Sequence, residues 1–127
     1  MKLTDNITGL QHIGIPTKDM DKTKAFYQSL GFEIALETVY QGDRVVFFKL
    51  HALIVETYES DQANPVYGAI NHLSLNVLDV DDVYRQVTEL GYKAVEGPAQ
   101  LPYWTNGIKY FTIEGPNKER VEFSQYL

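Results

Sequence analysis

The segment Leu10–Ile34, LQHIGIPTKDMDKTKAFYQSLGFEI, returns sixty residues later as Ile70–Ala94, INHLSLNVLDVDDVYRQVTELGYKA. His12 matches His72, Asp19 matches Asp79, Asp21 matches Asp81, and the pair Leu30-Gly31 matches Leu90-Gly91. Apolar residues also coincide, Leu10 with Ile70, Ile13 with Leu73 and Ile15 with Leu75. Self-similarity of this length makes each half a supersecondary unit that buries its apolar face against a second copy. A pairing of that kind would carry two equivalent histidines toward one shared site.

The chain has 127 residues, enough for one compact domain with a real core and too few for two independent ones. The expected organisation is therefore a single domain over 1–127, with a first module at about 8–60 and a second at about 68–127. Hydrophobic residues make up 44% and charged residues 22%, and no apolar run approaches bilayer-spanning length. The opening residues, MKLTDN, lack the apolar stretch of a secretory signal, so the expected location is the cytoplasm, away from membranes. A net charge of −6 opposes binding to a phosphate backbone, which needs clustered Lys and Arg. With no cysteine present, disulfides and sulfur ligands are excluded, and any metal must be held by nitrogen and oxygen.

Alternation over Leu10–Pro16 predicts a strand, and Asp19 then caps a helix over Met20–Leu30 in which Met20, Thr23, Phe26, Tyr27 and Leu30 fall at helical spacing. Gly31 stops it. Three strands follow, Phe32–Tyr40, Arg44–Leu50 and Ala52–Glu59, the first two joined by a Gln41-Gly42-Asp43 turn. A polar linker, Ser60–Gly68, precedes a second round: a strand over Ala69–Val77, a helix over Asp79–Leu90, then strands at Tyr92–Glu96, Ile108–Glu114 and Arg120–Gln125. One asymmetry stands out, the segment Gly97–Gly107 (GPAQLPYWTNG), read as a long loop with no counterpart in the first half.

Alternate side chains leave opposite faces of a strand, so His72, Ser74 and Asn76 share one face while Leu73, Leu75 and Val77 share the other. The apolar face packs under the helices, which leaves His72 on a polar face. Glu122 and Ser124 oppose Val121 and Phe123 in the same manner, so Glu122 should join His72. Glu56 interrupts the apolar run Leu53-Ile54-Val55 at the place that corresponds to Glu122, although strand interiors disfavour glutamate. A single strand histidine or glutamate is usually structural or a solvated edge. Four of them at repeat-equivalent positions are better explained as a ligand set. Two imidazoles and two carboxylates suit Zn, Ni, Co, Mn or Fe(II) and argue against a dedicated Ca or Mg cage. His51, in the Leu50-His51-Ala52 turn, lacks an equivalent at the sixty-residue offset and reads as surface.

These residues give the chain a resemblance to the vicinal oxygen chelate superfamily, the glyoxalase, bleomycin-resistance and extradiol dioxygenase group. It lies in LQHIGIPTKDMDKTKAFYQSLGF with His12, in NHLSLNV with His72, and in FTIEGPNKERVEFSQ with Glu122. The resemblance implies an α+β fold of two βαβββ modules, whose eight strands curl into one open mixed sheet around a divalent metal. Glutamate at position 56 beside His12, His72 and Glu122 is most similar to glyoxalase I, with Zn or Ni favoured over Co, Mn or Fe. Glutathione-dependent glyoxalases of the bacterial type generally place an arginine four residues after the first histidine. Here that residue is Pro16, so the metal chemistry carries over more readily than the thiol substrate.

The implied activity is that of a lyase or isomerase acting on a small α-oxo or α-hydroxy carbonyl compound through a metal-held enediolate. By this resemblance Glu122 removes the carbon-bound proton and Glu56 returns it on the opposite side. Tyr103, Trp104 and Asn106 of the extra segment are expected to close over the substrate. Lys109 and Arg44 read as solvated edge cations. Two alternatives share the fold: an Fe(II) ring-cleaving dioxygenase, and a drug-sequestering protein of the bleomycin-resistance kind, which leaves Glu56 unexplained. Paired-module proteins of this type are similar to homodimers, with the metal centre inside one chain or across two.

Overall fold

The computed structural model describes every residue except 67 and 69. Those two positions fall in the expected linker and at the start of the strand expected from Ala69, so these parts of the sequence reading lie outside the described residues. In chain order the elements are α1 (Leu3–Asn6), β1 (Ile13–Thr17), α2 (Met20–Ser29), β2 (Glu33–Tyr40), β3 (Asp43–Leu50), β4 (Leu53–Glu59), β5 (His72–Asn76), α3 (Val80–Glu89), β6 (Ala94–Leu101), β7 (Ile108–Glu114) and β8 (Arg120–Tyr126). After the single-turn α1, which periodicity does not announce, the order βαβββ occurs twice. Among the described residues no helix is long and apolar enough to cross a membrane.

Helices α2 and α3 start and stop on the repeated signals. Asp19 Oδ1 accepts from the Lys22 N–H at 3.0 Å, and Asp79 Oδ1 accepts from the Asp82 N–H at 3.0 Å, satisfying a donor that helix geometry leaves orphaned. Gly31 and Gly91 both take φ +97°, a left-handed conformation that glycine adopts without a Cβ penalty. Met20, Thr23, Phe26 and Tyr27 of α2 and Val80 and Val87 of α3 are buried.

The eight strands form two four-stranded mixed sheets, ordered β1-β4-β3-β2 and β5-β8-β7-β6. β1 runs parallel to β4 and β5 parallel to β8, while the remaining pairings are antiparallel. The expected α+β class and doubled module order hold. The single eight-stranded sheet does not form within the chain, because β1 and β5 are edge strands of separate sheets. The modules meet instead through their helical layer, and one buried cluster takes Tyr27, Phe48 and Val55 from the first together with Val87, Phe111 and Val121 from the second.

Polar bonds lock this junction. The Tyr27 hydroxyl donates to Glu119 Oε2 at 3.0 Å, and the Asn117 side-chain amide donates to Thr23 Oγ1 at 3.0 Å. The Tyr92 hydroxyl lies 2.7 Å from Ser29 Oγ, and its ring meets Phe26 edge-on at 5.3 Å. Burial pushes the Glu119 carboxyl above its ordinary value, against the lowering effect of the bonds it accepts from Asn117 and Tyr27. Burial, then the charge of Glu119, likewise push the Tyr27 phenol well up.

The long loop expected at Gly97–Gly107 is a correction. β6 continues to Leu101, which leaves only 102–107 outside regular structure. Pro98 lacks a ladder donor, yet it falls in a register shift between Glu96 and Ala99, where no ladder bond is demanded. Gly97 has φ +74°, and a Cβ there would stand 2.6 Å from the Tyr110 carbonyl oxygen. Glycine and proline, read as turn signals, here serve a bulged edge strand.

Candidate metal centre

β4 pairs with β1 so that Glu56 lies opposite Gly14, and with β3 so that Glu56 lies opposite Phe47. Val55 and Thr57, on the other face, are buried beneath α2. Glu56 therefore points to the face that carries no helix. His12 immediately precedes β1 rather than lying inside it, and its Nε2 stands 3.0 Å from Glu56 Oε2. The His12 ring also meets Phe47 edge-on at 5.9 Å.

The second module repeats the arrangement. Glu122 lies opposite Ser74 and Thr112, and His72 lies opposite Arg120. Glu122 Oε1 accepts from Ser74 Oγ at 2.8 Å, while Glu122 Oε2 is 3.8 Å from His72 Nε2. Leu73, Leu75 and Val77 pack on the shared core, as the alternation requires. In both halves the ring's other nitrogen meets an amide oxygen: His12 Nδ1 lies 3.0 Å from Gln11 Oε1 and His72 Nδ1 lies 3.1 Å from Asn71 Oδ1.

The four expected ligands thus come together as two imidazole–carboxylate pairs, one per module. Among the described residues of one chain, no three His, Asp or Glu side chains gather in a group that could hold a metal ion. A complete quartet inside the chain is therefore not formed, because the helical layer holds the two helix-free faces apart. Each pair still suits a borderline divalent cation, which takes imidazole nitrogen and carboxylate oxygen together. The open side of each pair leaves coordination to be completed from elsewhere.

A cavity of about 450 Å³ adjoins the second pair and is lined by His72, Glu96, Tyr103, Tyr110, Thr112, Arg120 and Glu122, among others. The Tyr110 hydroxyl donates to Glu96 Oε1 at 2.6 Å, and this bond, with lesser help from burial, pushes the phenol up to about 12. Arg120 Nη1 approaches Glu96 Oε2 at 3.9 Å. Glu96 was missed from sequence because it stood at the expected end of its strand, Tyr92–Glu96, whereas β6 runs Ala94–Leu101. The usable signal was its offset of sixty from Leu36, a strand position whose face is set by the repeat.

Tyr103 lines this cavity as expected. Trp104 and Asn106 line a different depression with Gln100, Leu101, Pro102, Thr105 and Gly107, so within one chain they do not face His72 and Glu122. Trp104 is 74% exposed and touches Tyr126 edge-on at 5.9 Å. Lys109 pairs with Asp81 at 2.7 Å and Arg44 with Asp21 at 3.0 Å, as befits edge cations. His51 occupies its turn with φ +53°.

Paired βαβββ modules with an imidazole and a carboxylate on each open face define a class of scaffold. The pattern of the Glyoxalase/Bleomycin resistance protein/Dioxygenase superfamily matches residues 9–123, and the chain belongs to that superfamily. The virulence protein STM3117 of Salmonella typhimurium is 26% identical over 127 residues, spanning 95% of this chain and 86% of that protein. Among solved structures, a glyoxalase family protein from Enterococcus faecalis superposes with a TM-score of 0.78 at 24% identity, covering 94% of this chain and 98% of the other. The fosfomycin resistance protein FosX of Listeria monocytogenes, solved with Mn(II) and a sulfate ion, gives 0.72 at 20% identity, covering 95% and 94%. These structural likenesses establish the fold. Superfamily members bind divalent metals, FosX with Mn(II) among them.

Proposed function

We propose that the protein is a divalent-metal-dependent lyase or isomerase of the glyoxalase I type, acting on a small α-oxo or α-hydroxy carbonyl compound. The observation that carries this reading is the duplicated pair, His12 with Glu56 and His72 with Glu122, one on the open face of each module. Two half-sets on separate faces become one quartet when two chains associate, so the working unit is a homodimer. His12 and Glu56 of one chain would then hold a metal ion, Zn or Ni in first place, with His72 and Glu122 of the partner subunit. When bound, the ion supplies Lewis acidity that draws charge from adjacent substrate oxygens.

The chain's own residues supply the proton movements. Glu122, steadied by the Ser74 hydroxyl at 2.8 Å, is the base that takes the carbon-bound proton, and Glu56 returns it on the opposite side. The two walls differ in character. Phe47 and Leu36 lie in register beside Glu56, whereas Thr112 and Glu96 hold the same places beside Glu122. A substrate with an apolar side toward Phe47 and hydrogen-bonding groups toward Tyr103, Tyr110 and Arg120 fits that division.

Elemental analysis of purified protein, followed by assay with methylglyoxal and several thiols, tests the proposal. Stoichiometric Zn, Ni, Co, Mn or Fe with turnover of an oxo-carbonyl substrate is the expected result. Protein that binds none of these ions when they are added would overturn it.

A further inference from the structure

Gln11 and Asn71 immediately precede the two candidate metal-binding histidines, and each places its amide oxygen on the ring nitrogen that faces away from the carboxylate. The distances are 3.0 Å for Gln11 Oε1 to His12 Nδ1 and 3.1 Å for Asn71 Oδ1 to His72 Nδ1. An amide oxygen accepts and cannot donate, so this contact is a hydrogen bond when Nδ1 carries the hydrogen. Nε2, the atom that faces Glu56 at 3.0 Å and Glu122 at 3.8 Å, is then left for the carboxylate side, where a bound cation would take its lone pair in place of a hydrogen. Gln and Asn differ by one methylene, yet both halves reach the same bond on the same atom.

We propose that Gln11 and Asn71 are positioning residues that fix the Nδ1–H tautomer of His12 and His72 and aim both Nε2 lone pairs at a divalent cation. This rests on the metal reading given above. It adds two residues that act through the ligands and touch neither metal nor substrate, a role that elsewhere governs ligand geometry and affinity. His51 is an internal control, since its side chain makes no hydrogen bond among those found for the described residues.

The test is long-range ¹⁵N–¹H correlation spectroscopy of the full chain at about pH 8, before and after addition of Zn(II). With Zn(II) bound, His12 and His72 are expected to carry hydrogen on Nδ1 and the metal on Nε2, with His51 unchanged. Gln11→Leu and Asn71→Leu should lose that fixed arrangement at the neighbouring ring and weaken Zn(II) binding about 10- to 100-fold, with circular dichroism unchanged. Gln11→Glu and Asn71→Asp, which keep the acceptor, should restore both. Zn(II) on Nδ1 of either ring, or Leu variants with undiminished Zn(II) affinity, would overturn the assignment. Wild type that takes up no Zn, Ni, Co, Mn or Fe would instead refute the metal reading and, with it, the aiming role.

Discussion

Glu119 is held under two opposed influences, since burial penalises its charge while Tyr27 and Asn117 donate hydrogen bonds to it. The net shift is upward, so the folded state favours the protonated acid. The corresponding stability is full below the ordinary value of 4.5 and is lost as pH rises through the raised folded value. Compared with Glu119→Gln, the wild type should therefore lose ground in urea-melt midpoints as pH climbs from about 4 toward neutrality. A difference that stays flat with pH would contradict this. Glu119→Ala strands the Tyr27 and Asn117 donors and should cost about 1–3 kcal/mol, measured by the same melts. At the candidate site, Glu122→Gln keeps the shape and the Ser74 contact but cannot take a proton. Turnover should fall about 100-fold or more with the melting temperature nearly unchanged, and full turnover would exclude Glu122 as the base.

At the level of elements, the repeat made the caps Asp19 and Asp79, the stops Gly31 and Gly91, and the inward faces of β5 and β8 readable, because each is a local rule applied twice. Asp79→Ala should cost about 1 kcal/mol by removing the acceptor for the Asp82 N–H. β6 was not readable, because its Gly97-Pro98 pair is turn chemistry locally and a bulged edge strand only in the presence of β7. That dependence makes Gly97 a sensitive position. Ala there must hold φ +74° with its Cβ against the Tyr110 carbonyl, and a loss of about 1–3 kcal/mol is expected in chemical denaturation. The same bulges set where Glu96 emerges, which is why the extent of β6 and the presence of Glu96 in the cavity were missed together.

For the whole molecule, residue alternation gave the face on which His72 and Glu122 lie, but period alone cannot say how two modules turn relative to each other. The core shared through the helical layer supplies that answer and leaves two half-sets in one chain. A mixed dimer tests the proposed completion across chains. Chains carrying His12→Ala and Glu56→Gln, combined with chains carrying His72→Ala and Glu122→Gln, can assemble one intact quartet per dimer. Mixing equal amounts should restore metal binding and up to about a quarter of the wild-type activity, since half of the dimers are mixed and each of these has one intact centre of two. Sites built inside single chains would stay dead in every mixture.

The helical layer between the two sheets also constrains how copies can add to one another. Two unlike, mutually complementary surfaces that look away from each other can propagate without end, as bricks in a row, unless the second contact returns to the first chain. Two-fold closure uses up both surfaces and caps growth at one pair. The cation would then act as a fastener, and titrating it while following light scattering should give a mass that plateaus at two chains holding two ions, with steady growth as the signature of an open filament.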